Sequence, residues 1–249
     1  MDNTLINRIN ELAEKSYSEN RFVFTDFLDM SQLSSFYSLE RDLAYVGTSV
    51  SGGTEGCERC MVRFGTPESL GYDEAFPIVL LHISPVQKKF SDALTHRDFL
   101  GSVIGLGIER TKLGDIIVRD NEGYIFVSES ISEYILENLS KVKRTNIRVE
   151  KFLDIPEAVA PKFAEESIIV SSNRLDAIIA RVYKLSRDLA VRYISEGKVF
   201  MSGRQMTENA KQLKSGDTVS VRGKGKFIFE GEGGSTKKDK LYIKIKKYV

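Results

Sequence analysis

Between Arg174 and Lys226 the chain reads as two short helices feeding a small twisted sheet, and the order of its signals constrains the fold more than any other stretch. Arg174-Leu175-Asp176 opens an amphipathic segment to about Tyr183, with Leu175, Ile178, Ile179 and Val182 on one face. Ser186 is a natural N-cap for a second helix, which packs Leu189, Ala190, Tyr193 and Ile194 and stops at Gly197. The strand Val199 to Met201 turns at Ser202-Gly203 and exposes Arg204; Gly216-Asp217 and Arg222-Gly223-Lys224-Gly225-Lys226 mark further turns. From Ser171 to Val249 there are 18 Lys and Arg against 8 Asp and Glu, an excess of 10, whereas the other 170 residues hold 18 against 27. A net charge of +1 therefore hides a polarised molecule. A local excess of this kind is the electrostatic footprint of a polyanion partner, most often nucleic acid. A solvated basic face without a partner is the plainer alternative. Arg187 at a helix N-terminus, close in sequence to Lys184, combines backbone N–H groups with a guanidinium in a way that suits phosphate.

The rest of the chain has room for further cores, and 41% hydrophobic content with five prolines describes a folded protein. No apolar run approaches the ~20 residues of a membrane span, Met1-Asp2-Asn3 does not begin a secretory signal, and two cysteines make no disulfide framework. A cytoplasmic location is expected. Residues 1–75 read as a small, acidic α+β domain: a helix over 4–20, a second from about Thr25 to Arg41, and β-prone pieces at Leu43 to Val50 and Cys60 to Phe64. Residues 76–155 run strand (Phe76 to Ile83), helix (Thr95 to Arg110, ending near Gly107), hairpin (Gly114 to Val118 and Tyr124 to Val127), helix (Ser130 or Ser132 to Val142), strand (Asn146 to Phe152). That β-α-β-β-α-β order is the ferredoxin-like, RRM-like arrangement. Residues 156–170, marked by Pro156 and Pro161, read as a linker into the basic module at 171–249. The fold class is thus α+β and multi-domain.

Two further surfaces are candidates for RNA. Gly123-Tyr124-Ile125-Phe126-Val127 resembles the core of the RNP1 motif, which would set Tyr124 and Phe126 side by side for stacking. Glu122, Ile125 and Glu129 depart from that motif, so a purely structural hairpin stays open. Alternation in the last strand puts Leu241, Ile243 and Ile245 on one face and Lys240, Tyr242, Lys244, Lys246 and Tyr248 on the other. This suits phosphate contact with stacking, or equally an edge strand blunted by lysines. Cys57 and Cys60 form a single CxxC; zinc needs four ligands and only His82 and His96 could add to the pair, so no metal site is expected.

The ordered set at 174–229 resembles the S4 (αL-type) RNA-binding domain. Leu185 stands where many such domains have Gly, and Ser202 where Asn is common. The resemblance implies RNA contact by Arg174, Lys184, Ser186, Arg187, Lys198, Ser202, Arg204, Arg222, Lys224 and Lys226; Tyr124 and Phe126 of the hairpin and Tyr242, Lys244 and Lys246 of the last strand are a second candidate set, from the patterns above. Joined to the run from His96 to Ile116, the whole chain is similar to the YlmH-type S4-domain proteins of Gram-positive bacteria. That likeness implies a ribosome-associated factor bound to rRNA or tRNA of the large ribosomal subunit, in quality control of subunits obstructed by peptidyl-tRNA. The nucleotide-binding segments of a tyrosyl-tRNA synthetase are absent, and so is the catalytic signature of a pseudouridine synthase. With no P-loop, no Ser/His/Asp set and two histidines, the residues point to a binder without catalytic residues, cofactor or small-molecule substrate. An RNA-modifying enzyme with an S4 targeting domain, and a protein adaptor acting through the acidic N-terminal part, are the alternatives.

Overall fold

The computed structural model describes residues 3–236 and 239–249. Met1 and Asp2, and two of the basic residues counted above, Lys237 and Lys238, lie outside the described residues. The chain divides into two compact units, Met1–Ala160 and Pro161–Val249.

The first unit begins with α1 (Asn3–Glu19), which buries Ile9, Leu12 and Ala13. After β1 (Val23–Phe24) comes α2 (Met30–Ser38), shorter than the sequence suggested. The reason is Asp29: its carboxylate accepts from the backbone N–H of Ser31 and Gln32, and the Gln32 side chain returns the bond to the Asp29 N–H. This capping box starts the helix at Met30. It leaves Thr25 to Leu28 extended, with Phe27 N–H donating to the Thr111 carbonyl and Leu28 bridging Cys60. β2 (Thr48–Ser51) and β3 (Met61–Phe64) complete an antiparallel sheet in the order β1–β3–β2, and a single helical turn, α3 (Pro67–Leu70), follows.

The same unit continues with β4 (Ile78–Pro85), α4 (His96–Ile104), β5 (Leu113–Arg119), β6 (Glu122–Ser128), α5 (Glu129–Asn138), β7 (Lys141–Val142) and β8 (Thr145–Phe152). The sheet runs β5–β6–β4–β8–β7 with every neighbouring pair antiparallel. Asp120 and Asn121, both at positive φ (48° and 68°), turn the β5–β6 hairpin. One face of the sheet buries Leu81, Ile83, Ile125 and Val127 against Phe99 and Val103 of α4 and Ile135 of α5. The other face carries Leu80, Tyr124 and Phe126, which pack with Phe27, Met61 and Val159. Residues 1–75 gather a core of their own around Ile9, Phe36 and Phe64, and through Phe27 and Met61 they also cover the second sheet face.

The second unit is a six-stranded sheet with two helices on it. β9 (Phe163–Val170) comes first, then α6 (Leu175–Val182), α7 (Arg187–Ser195), β10 (Val199–Met201), β11 (Arg204–Gln205), β12 (Thr218–Val221), β13 (Gly225–Ser235) and β14 (Leu241–Tyr248). The strand order is β11–β10–β12–β13–β14–β9. β9 corrects the expected linker at 156–170: it pairs with β14 from Phe163↔Tyr248 to Val170↔Leu241. Glu165, Glu166 and Ser167 hid a strand pattern whose inward Ile168 and Val170 join the core of Leu175, Ile178, Ile179, Ile243 and Ile245.

Candidate nucleic-acid interface

Asp176 organises the basic face of the second unit. Its side chain is 3% exposed, and it accepts from Arg174 Nε and Nη2 at 3.1 and 3.0 Å, from Arg187 Nε at 3.3 Å, and from the Ala177 N–H at 2.8 Å. Burial alone would raise this carboxyl, but the hydrogen bonds and charges of Arg174 and Arg187 outweigh it and hold the group below its ordinary range. The same bond raises the Arg174 guanidinium. One buried anion thus orients two guanidiniums from different helices, and both remain partly exposed.

In the turn between α6 and α7 the left-handed residue is Lys184, at φ 53°, so Leu185 does not need the freedom of glycine. Ser186 then caps α7, its Oγ accepting from the Leu189 N–H at 3.2 Å. Next to this turn a cavity of about 360 Å³ is lined by Ile169, Ala177, Leu185 and three cations, Arg181, Lys184 and Arg187. Arg181 was not among the sequence candidates. The signal was present: Ala177 and Arg181 fall at i and i+4, one face of the helix.

A second basic group gathers at the strand turns. Lys198 and Lys224 place their ammonium groups 5.4 and 5.9 Å from the centre of the Tyr193 ring, Arg222 lies over Phe200 at 5.8 Å, and Lys226 over Tyr248 at 4.9 Å. The Arg222 N–H donates to the Lys198 carbonyl at 2.8 Å, tying the two turns together. Lys198 also pairs with Glu196 at 2.6 Å, which lowers that carboxyl. Ser202 (φ 48°) and Gly203 (φ 80°) make the β10–β11 turn. Serine serves where asparagine is common because its Oγ donates to Asp217 at 3.3 Å. Arg204 follows on β11, exposed.

The second set of candidates is corrected in part. Tyr124 and Phe126 are 7% and 1% exposed, so neither ring presents a face for stacking. A methyl group at Gly53 would stand 2.3 Å from the Phe126 ring, and Tyr124 stacks on His82 with ring centres 4.7 Å apart. β14 is an interior strand, which removes the edge-strand reading. Lys246 Nζ sits 2.6 Å from Glu230 and 4.0 Å from Glu165, so its charge is matched within the sheet. Lys244 lies with Glu165, Glu166 and Glu230 around a small cavity, and Tyr242 is 39% exposed. That face is closer to charge balance than to a phosphate track.

The CxxC has a use that spacing did not reveal. The N–H groups of Glu58 and Arg59 donate to the Asp115 carboxylate at 2.7 and 3.0 Å, and the Arg59 guanidinium donates to the carbonyls of Phe27, Arg110 and Leu113. The turn clamps the N-terminal layer to β5. Burial and the neighbouring Arg59 charge lower the Arg110 guanidinium to about 10. Among the described residues, no group of three or more His, Cys, Asp or Glu is placed to hold a metal ion.

Residues 72–154, which contain β4 to β8, match the family model described as "Putative RNA-binding domain in YlmH". The middle of this chain is similar to that YlmH domain. A curated Bacillus subtilis (strain 168) protein, "Ribosome-associated protein quality control protein P2", is 29% identical over 231 residues, covering 90% of this chain and 86% of the relative. A solved structure, "Cell division protein ylmH from Streptococcus pneumoniae", is 25% identical with a TM-score of 0.50, covering 61% of this chain and 90% of that one. The YlmH-type resemblance drawn from the sequence is what these matches show. No helix among the described residues is long and apolar enough to cross a membrane.

Proposed function

We propose that this chain is a non-enzymatic RNA-binding protein that docks on structured rRNA or tRNA of the large ribosomal subunit, in the quality control of subunits obstructed by peptidyl-tRNA, in the cytoplasm. The second unit serves as an S4-type module: two short helices on a sheet, with a basic group at each turn. The observation that carries this reading is the arrangement around Asp176, where Arg174 and Arg187 are held in fixed directions beside a cavity edged by Arg181 and Lys184. Guanidiniums steered by a buried carboxylate meet phosphate oxygens with less loss of side-chain freedom than free arginines do. Lys198, Arg204, Arg222, Lys224 and Lys226, with the ring of Tyr193, extend the contact along the strand turns. The Bacillus relative's name and the middle-domain family support the ribosomal and RNA-binding parts of the reading, and neither description names an enzymatic reaction.

Co-sedimentation and salt titration test it together. In low salt the wild-type chain is expected in the large-subunit fractions of a gradient. Changing Arg181, Lys184 and Arg187 together to Ala should release it and reduce the slope of log K against log salt by about 2–3, since each phosphate contact contributes roughly 0.7–0.9. Wild-type protein found only at the top of the gradient, with stalled peptidyl-tRNA present, would defeat the ribosomal assignment. An unchanged slope in the triple variant would remove this surface as the docking site.

A further inference from the structure

The loop between β4 and α4 carries the most exposed aromatic ring among the described residues: Phe90 is 78% exposed. The loop does not rely on that ring for its own order. The Asn121 side chain accepts from the Leu94 N–H at 2.6 Å and donates to Ser91 Oγ at 2.8 Å and to the Asp92 carbonyl at 2.9 Å. The Asp92 N–H donates to Thr145 Oγ1 at 2.9 Å, and the Val86 N–H to the Asn146 carbonyl at 3.0 Å. Phe90 therefore stands out from a loop that is pinned on both sides, instead of folding back to bury itself.

Beside the ring is a cavity of about 210 Å³, lined by Val86, Gln87, Phe90, Arg144, Thr145 and Asn146. The side-chain amides of Gln87 and Asn146 make no hydrogen bond to the described residues. The Arg144 side chain is 91% exposed and meets Asp92 through one nitrogen at 3.3 Å. Lys89 Nζ lies 5.8 Å from the centre of the Phe90 ring. An aromatic face, two unused amides and a nearly free guanidinium at one rim are the groups that take a nucleobase by its face, its edge and its phosphate. The cavity is too small for a helix of either kind. The cations at its rim, Lys89 and Arg144, favour an anionic occupant.

We propose that Gln87, Phe90, Arg144 and Asn146 form a second RNA site, which captures one unstacked base of a single-stranded loop or bulge and sets its phosphate against Arg144. The proposal rests on the RNA-binding reading above. It gives the YlmH-type domain a contact at the end of its sheet, where the covered face around Tyr124 and Phe126 has none to offer.

The chain contains no tryptophan, so Phe90→Trp supplies the full-length protein with a single reporter at the site. The probes are an RNA hairpin with an unpaired loop and a blunt duplex of the same stem. Phe90→Trp keeps an aromatic face at the site, and its emission should be quenched saturably by the hairpin and not by the duplex at equal occupancy. Phe90→Ala should weaken hairpin binding by about five- to a hundredfold, the usual range for one stacked base, with its salt slope unchanged. Arg144→Ala should lower that slope by roughly 0.7–0.9. An unquenched tryptophan on a tightly held hairpin, with Phe90→Ala equal to wild type, overturns this site and leaves the C-terminal surface standing. Failure of the wild type to bind either RNA overturns both. Quenching by intact large subunits but not by the RNA extracted from them would place a protein over the ring, and would also overturn the proposal.

Discussion

At the scale of single residues, Asp176 shows how one buried side chain can fix the direction of two surface arginines. Its carboxylate is buried and bonded to two arginines and a backbone N–H. Asp176→Asn keeps the shape and removes the charge that holds Arg174 and Arg187. Hydrogen bonds to a charged group contribute about 1.5–3 kcal/mol, and the half-exposed arginines can recover solvent, so a loss of about 1–2 kcal/mol is expected at neutral pH. The folded-state carboxyl lies below its ordinary value. Its contribution is therefore complete above the unfolded value of about 3.9 and is lost as pH falls through the folded one. Urea midpoints should differ between wild type and Asp176→Asn at neutral pH and converge in acid; a gap that persists in acid would mean packing, not charge, is responsible. The Ser186 cap and the start of α7 at Arg187 were legible in the sequence because caps and helix turns are local. Asp176 was legible only as a motif letter, since its bond to Arg187 joins two different helices.

At the scale of elements, the sequence reported which faces are apolar but not what covers them. Period-two alternation placed Tyr124 and Phe126 together on β6, and that much was correct. What the pattern could not state is that Phe27 and Met61, far away in the chain, close over them. Thr25 to Leu28 carried a helical pattern and became extended, because the Asp29 capping box begins the helix later and β3 offers backbone partners. β9 was concealed for a similar reason, its outward Glu165 belonging to a cross-strand pair with Lys246. The consequence for β6 can be measured. Phe126→Ala should destabilise the first unit by about 3–5 kcal/mol, as for other buried phenylalanines, and Tyr124→Ala with Phe126→Ala should prevent it from folding. The milder Phe126→Leu should stay folded and bind RNA with wild-type affinity. A folded Phe126→Leu protein with sharply weaker RNA binding would show that the face opens and the ring is used.

At the scale of the whole molecule, charge and covalent order together make a prediction that neither half makes alone. The unit from Pro161 to Val249 holds 19 basic and 10 acidic residues, and the remainder 17 and 25. A piece that starts at Pro161 keeps β9, whose Ile168 and Val170 belong to the core. A piece that starts at Ser171 loses it, uncovers β14 along its length, and exposes a row of unpaired backbone groups bordered by Tyr242 and Tyr248. Such an edge invites pairing with another chain. The longer piece should be monomeric and fold with a single transition, and the shorter one should aggregate or unfold at lower denaturant. With the longer piece in hand, the acidic remainder can be tested as a filter. Acidic surface repels phosphate that is not positioned to avoid it, so the full chain should bind random-sequence RNA less tightly than the Pro161–Val249 piece does, and the gap should shrink as salt screens the repulsion. A full chain that binds random RNA more tightly at every salt concentration would assign the first unit an attractive role throughout, with the Phe90 loop as the first place to look for it.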